Sequence, residues 1–300
     1  MRGGSLVIWK LDFGFEHLVR NICNGTVLGP EDCGEQHILY VTNPLTKQRA
    51  TLPPFHGGKG CHSELTLAFA ESSLECKVVH TLATGPFDIK PRVAVLTLGV
   101  DKVWRHIDIQ HLSLKRMEAP GMCSPLVTGG YIHWIIRFGC VLTLNVETET
   151  IRQFPMHPRL LRGRGSVKYL PMGRYLTILH ESSMFLMDVW EMNPETGEWT
   201  MSLSFDLSPL NDRFHDLFGD NSWHRSMSPS GWLGADRKVL LLTSWCTKKI
   251  CVAYNLETGE IQSLELESAL EPHLNNLLRL ERGFRVRRQG KRQGIPLSCT

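Results

Sequence analysis

The chain has 300 residues, of which 42% are hydrophobic and 21% charged, and its formal net charge is +3. That composition is normal for a soluble globular chain with a sizeable core, and the near balance of charge does not by itself predict a nucleic-acid partner. No apolar run approaches the roughly 20 residues of a membrane-spanning helix, so no membrane association is expected.

Residues 1–20 form a short N-terminal segment in which only LVIW is apolar before charged residues resume, a pattern unlike a secretory signal. The nine cysteines show no CxxC pair and sit mostly within apolar runs, as Cys140 and Cys251 do. Cysteine in such runs behaves as a small buried hydrophobe and fits a reducing compartment, so the expected location is the cytoplasm, the nucleus or both. The sequon Asn24-Gly25-Thr26 is then expected to go unused.

Alternation and β-branched content predict strands at 37–42, 65–70, 76–82, 92–98, 103–109, 130–137, 140–146, 150–156, 166–171, 174–180, 184–192, 198–205, 238–244, 250–255 and 260–266. They do not alternate with helical stretches, which disfavours a parallel α/β sheet. Four joints between strands read Asn-x-x-Thr, at Asn43, Asn145, Asn193 and Asn255. An Asn side chain can bond backbone two residues on, and the glycines that follow two copies, Gly197 and Gly259, tolerate positive φ. A further hairpin is predicted around Gly99-Val100-Asp101-Lys102, which spaces the turns about 50 residues apart. Repeated β-units of that size are the signature of propeller blades, so the predicted fold is an all-β propeller of about five to six blades.

Two segments break this rhythm. Residues 206–236 are rich in Asp, Ser, His and Gly and read equally as a long loop, with a short helix at 212–217, or as an irregular outer strand. Leu270, Leu274, Leu277 and Leu278 lie at helical spacing, which predicts a short amphipathic helix over 273–282. The division expected is thus a segment 1–20, a propeller 21–268, a helical stretch 269–283 and a basic disordered tail 284–300.

The densest polar cluster, Asp212, His215, Asp216, Asp220 and His224, has the residue types of a metal site but lacks helical HExxH spacing. Hydrogen bonding in a solvated loop accounts for it more simply. No nucleophile elbow, P-loop or dinucleotide fingerprint occurs, and Gly163 to Ser166 reads as a connecting turn. No catalytic residue, metal or cofactor is therefore expected, and the function anticipated is binding. Trp104, Trp134, Trp190, Trp199 and Trp245 lie in strand patterns and read as packing anchors between blades. Trp223 and Trp232 fall in the long loop and are the candidate partner contacts. His133 and His180 sit within strand patterns and read as satisfied core or pleat residues.

Several blocks carry a resemblance. NICNGTVLG (21–29), YVTNPLTKQRATLPP (40–54), LTLAFAESSLECKVVH (65–80), VLTLGVDKVWRHI (95–107), GGYIHWI (129–135), LTLNVETETIRQFPMHP (142–158) and DVWEMNPETGEWT (188–200) follow one another in order. Together they resemble the F-box-associated interaction domain of plant F-box proteins, a kelch-like β-propeller. The resemblance implies a substrate-recognition module of an SCF-type ubiquitin ligase that binds a protein substrate without chemistry of its own. In that family an N-terminal F-box engages a Skp-type adaptor and cullin. Only about 20 residues precede the Cys23-Asn24-Gly25 block, too few for a multi-helix motif, so the recognition half is expected without the docking half. A carbohydrate-binding or carbohydrate-active propeller is the alternative, which an acid pair or aromatic platform at the propeller mouth would mark.

Overall fold

The computed structural model describes residues 21–23, 26–33, 36–43, 46, 48–54, 62–83, 92–113, 125–136, 139–162, 167–172, 175–183, 185–208, 227–233, 238–244 and 250–265. Five antiparallel sheets of four strands each make a five-bladed propeller. Blade one is β1 (Asn21–Cys23), β2 (Thr26–Cys33), β3 (Gln36–Asn43) and β4 (Gln48–Thr51); blade two is β5 (His62–Ala70), β6 (Glu75–Ala83), β7 (Arg92–Thr97) and β8 (Arg105–Ile107). Blade three is β9 (Leu126–Thr128), β10 (Tyr131–Ile136), β11 (Cys140–Asn145) and β12 (Thr150–Pro155). A one-turn helix, α1 (Pro158–Arg162), leads into blade four: β13 (Val167–Met172), β14 (Tyr175–Glu181), β15 (Leu186–Met192) and β16 (Trp199–Asp206). Blade five is β17 (Met227–Leu233), β18 (Val239–Ser244), β19 (Ile250–Asn255) and β20 (Ile261–Glu265).

Each sheet is a simple meander, so its strands pair in sequence order. First strands meet across blades, β1 with β5, β9 with β13 and β13 with β17, which sets them around the axis and leaves the fourth strands at the rim. The burial patterns follow from that position. Strands β7 and β11 are buried at five of six positions, because a middle strand has a neighbouring blade over both faces. Rim strand β4 is exposed throughout.

The core is split among interfaces between consecutive blades. Leu28 and Val41 of blade one meet Leu65, Leu67 and Val78 of blade two. Val79, Val93 and Val95 of blade two meet Ile132, Trp134 and Leu142 of blade three. Val141 and Met156 meet Ile178, Trp190 and Met192, and Leu179, Val189 and Phe205 meet Leu240, Leu242 and Val252. Trp134 is fully buried, and losing such a side chain costs about 3–5 kcal/mol.

All fifteen predicted strands are present within a few residues. The structure adds β1, β2, β4, β9, β17 and α1. Strand β2 contains Gly29, Pro30 and two acids yet pairs continuously with β3, Pro30 opposite Leu39. Strand β17 contains Pro229 and Gly231, and its register shifts between them. Of the two readings of 206–236, the described part takes the irregular strand in place of the loop: β16 runs to Asp206 and β17 occupies Met227–Leu233. Ladder partners on a neighbouring strand override weak local propensity in both cases. The helices predicted at 212–217 and 273–282 lie outside the described residues. Among the described residues no helix is long and apolar enough to cross a membrane.

Candidate functional site

In a four-stranded meander the first and third turns emerge at the same end of the blade, so five blades gather ten turns on one face. The Asn-x-x-Thr sequences are the third turns of blades one, three, four and five. In each the Asn Oδ1 accepts from backbone: Thr46 N at 3.2 Å on Asn43, and Glu147 N and Thr148 N at 2.9 and 3.0 Å on Asn145. Asn193 accepts from Glu195 N and Thr196 N at 2.9 and 3.3 Å, and Asn255 from Glu257 N and Thr258 N at 2.9 and 3.1 Å. Gly197 and Gly259 have φ of +75° and +66°, as the turn reading requires.

Blade three departs from this at Glu149, which stands where blades four and five place those glycines and has φ of +56°. An L-residue in that region carries strain, and its side chain shows what offsets it. The Glu149 carboxylate meets Lys77 Nζ at 2.9 Å and also takes both terminal nitrogens of Arg105, one of them at 2.8 Å. Arg105 reaches on to Asp101 Oδ2 at 3.0 Å, and that oxygen accepts Thr97 N at 2.7 Å. Hydrogen bonds from Arg105 hold the carboxyls of Glu149 and Asp101 below their ordinary range, and the same bonds raise the guanidinium. Lys77 is buried, so this network fixes blade two to blade three at the turn-bearing end. Glu147 adds to it by accepting Ser72 N and Ser73 N at 3.1 and 3.4 Å, from the first turn of blade two.

That turn and the third turn of blade two carry three exposed apolar side chains, Leu74, Val100 and Val103, exposed by 75%, 67% and 69%. Leu74 has φ of +56°, unusual for a bulky residue and a mark of a position held by its surroundings. Apolar side chains presented on a braced polar frame form a surface suited to a protein partner. Further round the face, Tyr131 Oη donates to Glu195 Oε1 at 3.1 Å and Arg152 to Glu195 O at 3.0 Å, which joins blade three to blade four.

A groove of about 1220 Å³ opens on the rim between blades two and three. Its polar lining includes His106, Asp108, His111, Arg152 and Gln153. Besides Arg152, three of these are committed to structure: His111 Nε2 lies 2.9 Å from Ile151 O, Gln153 Oε1 accepts Ser113 N at 3.0 Å, and Asp108 Oδ1 accepts Gln110 N at 2.9 Å. Among the described residues no group of three or more His, Cys, Asp or Glu could hold a metal.

Of the predicted contacts, Trp232 sits on strand β17 opposite Leu240, not in a loop, and Trp223 lies outside the described residues. The 212–224 polar cluster, Gly163 to Ser166 and Trp245 also lie outside them. Four tryptophans are packing anchors as predicted. Trp104 Nε1 donates to Pro53 O at 3.0 Å and Trp199 Nε1 to Pro155 O at 2.9 Å, each across to the preceding blade. Trp104 does so from just before its strand rather than within it. Trp134 and Trp190 are buried, and Trp190 stacks on His157 with centroids 4.3 Å apart. His133 is a core residue, its nitrogens 2.7 and 3.0 Å from Thr128 Oγ1 and Thr143 Oγ1, and burial lowers its pKa to about 3. The sequence reading did not single out Leu74, Lys77 or Glu149. The only available signal was Glu149 in the place of a turn glycine.

No protein-family model matches the chain, and no curated protein matches it. Among solved structures it is similar to the computationally designed Ika8 protein, at 11% identity and a TM-score of 0.38, over 82% of this chain and 61% of that one. TolB from Acinetobacter baumannii matches at 11% identity and a TM-score of 0.42, over 81% of this chain and 53% of that one. The chain thus spans less than two thirds of the length of either. A candidate 6-phosphogluconolactonase from Bacteroides uniformis matches at 13% identity and 0.40, over 82% and 70%. Likenesses this distant say nothing about activity.

Proposed function

We propose that the chain is a non-catalytic protein-recognition module that holds a partner protein on the turn-bearing face of its propeller. The observation that carries this reading is the set Leu74, Val100 and Val103, exposed on blade two above the Lys77–Glu149–Arg105 network. Exposed apolar groups on a rigid frame lose little entropy on binding, so their burial yields affinity. The resemblance to F-box-associated domains supports a finer reading, in which the partner is the substrate of an SCF-type ubiquitin ligase in the cytoplasm or nucleus. Engagement of a Skp-type adaptor and cullin is a separate part of that proposal.

The test is affinity purification from plant extract with the wild-type chain and with Leu74→Ser/Val100→Ser/Val103→Ser. The reading expects defined proteins to be enriched by the wild type and lost with the variant, whose melting temperature is unchanged. Equal recovery by both would overturn the assignment to this face. Recovery of the Skp-type adaptor and cullin would support the ligase role, and their absence beside an enriched partner would leave a free-standing recognition module.

A further inference from the structure

We propose a second interaction site: the rim edge of blade four, strand β16, accepts an extended peptide with basic flanks as a fifth strand of that sheet. This site is distinct from the turn-bearing face and does not depend on the reading of it.

A strand at a sheet edge offers a row of unpaired backbone groups, and proteins ordinarily blunt it with charge, proline or shortness. Four rim strands here do so. Strand β4 has four residues and contains Arg49, β8 has three and begins with Arg105, β12 contains Arg152 and ends at Pro155, and β20 ends at Glu265. Strand β16 is the longest at eight residues, and from Trp199 to Phe205 it has neither charge nor proline. Its residues Thr200 to Ser204 are all exposed, Met201 by 51% and Leu203 by 36%, and Leu186 on the adjacent β15 is exposed as well. Among the described residues the strand's sheet partner is β15 alone.

The charge around this edge selects the occupant. Between Phe185 and Asp206 the chain has Asp188, Glu191, Glu195, Glu198 and Asp206 and no Lys or Arg, within a chain of net charge +3. Exposed Glu198 and Asp206 bracket the uncharged stretch. A strand with cationic ends complements this pattern. A second copy of the chain does not: antiparallel pairing centred on Ser202, the register that aligns both uncharged stretches, sets each Glu198 against the other copy's Asp206. The ladder to β15 also slips where Leu203 pairs with Val189 and Met201 with Trp190, which leaves Ser202 as an extra residue. Such a bulge adds local twist, which a flexible peptide can follow and the edge of another folded blade cannot.

The probe is a labelled nine-residue peptide of alternating threonine and valine with two lysines at each end, titrated against the full chain by fluorescence anisotropy. We expect saturable binding that weakens about tenfold or more in Leu203→Lys and Met201→Lys and weakens more modestly, with a shallower salt dependence, in Glu198→Gln. Replacement of all the peptide's threonines and valines by proline should abolish it, because neither register then offers N–H donors to the ladder. Both lysine variants change exposed positions, and their circular dichroism and melting should match the wild type. The serine variant at Leu74, Val100 and Val103 should bind the peptide normally. Absence of saturable binding to the wild type would overturn the proposal, as would equal binding by Leu203→Lys or by the proline peptide. Concentration-dependent dimerisation abolished by Met201→Lys would assign the edge to a second copy instead.

Discussion

Glu149 of blade three and Lys77 of blade two meet at 2.9 Å, with the glutamate at a φ of +56° that two sister turns give to glycine. The turn thus sacrifices local backbone preference for an ion pair that ties two blades together. Replacement by alanine keeps the strain and loses the pairs, so Glu149→Ala should destabilise by about 2–3 kcal/mol. Glu149→Gly loses the same pairs but relieves about 1 kcal/mol of strain, so it should cost less. Urea unfolding of both variants checks the order. Because the folded carboxyl is held below its ordinary range by Arg105 and then Lys77, the pairs contribute fully above that range. Their contribution is lost as pH falls through the depressed folded value.

Burial of two histidines also makes stability fall on acidification. His133 is lowered from 6.5 to about 3 and His80 from 6.5 to about 4, both by burial. The unfolded chain binds these protons below about pH 6.5 while the folded chain refuses them. Stability should therefore fall as pH drops from 6.5 toward 4, by up to about 1.4 kcal/mol per pH unit for each histidine. His133→Asn, which keeps a donor and an acceptor between Thr128 and Thr143, should remove about half of that slope in melts taken across the range.

Two turn glycines with the same backbone should respond differently to alanine. At Gly259 an added Cβ meets nothing within 4 Å, so Gly259→Ala should cost only the positive-φ strain, about 1 kcal/mol. At Gly197 it would lie 2.2 Å from Phe154 Cδ1 and 2.7 Å from Cγ, the root of the ring. Gly197→Ala should cost about 3 kcal/mol or more, since Phe154 cannot withdraw without opening the packing of blades three and four. Parallel denaturation curves check the difference.

Leu74 should separate stability from recognition. Leu74→Gly relieves the left-handed strain at an exposed site and should raise stability by up to about 1 kcal/mol. The same change removes one of the three apolar groups assigned to the partner surface. Higher melting with weaker partner recovery is the expected pair of results.

Sequence alone determined the repeated hairpin. Alternating runs and the Asn-x-x-Thr turns are local codes, readable because side chain and backbone partner lie within three residues. It also marked the buried tryptophans, whose size leaves few places but a blade interface. Tertiary structure decided the rest. Strands β2 and β17 hold against their own Gly and Pro because a neighbouring strand supplies the ladder. Rim strand β4 has too few apolar residues to be read as a strand at all. The surface proposed for a partner was illegible for the same reason: Leu74, Lys77, Arg105 and Glu149 are scattered along the chain and meet only when blade three closes against blade two. Burial of Lys77, the strain at Glu149 and the exposure of Leu74 all depend on which blade stands next to which, a relation that no local pattern encodes.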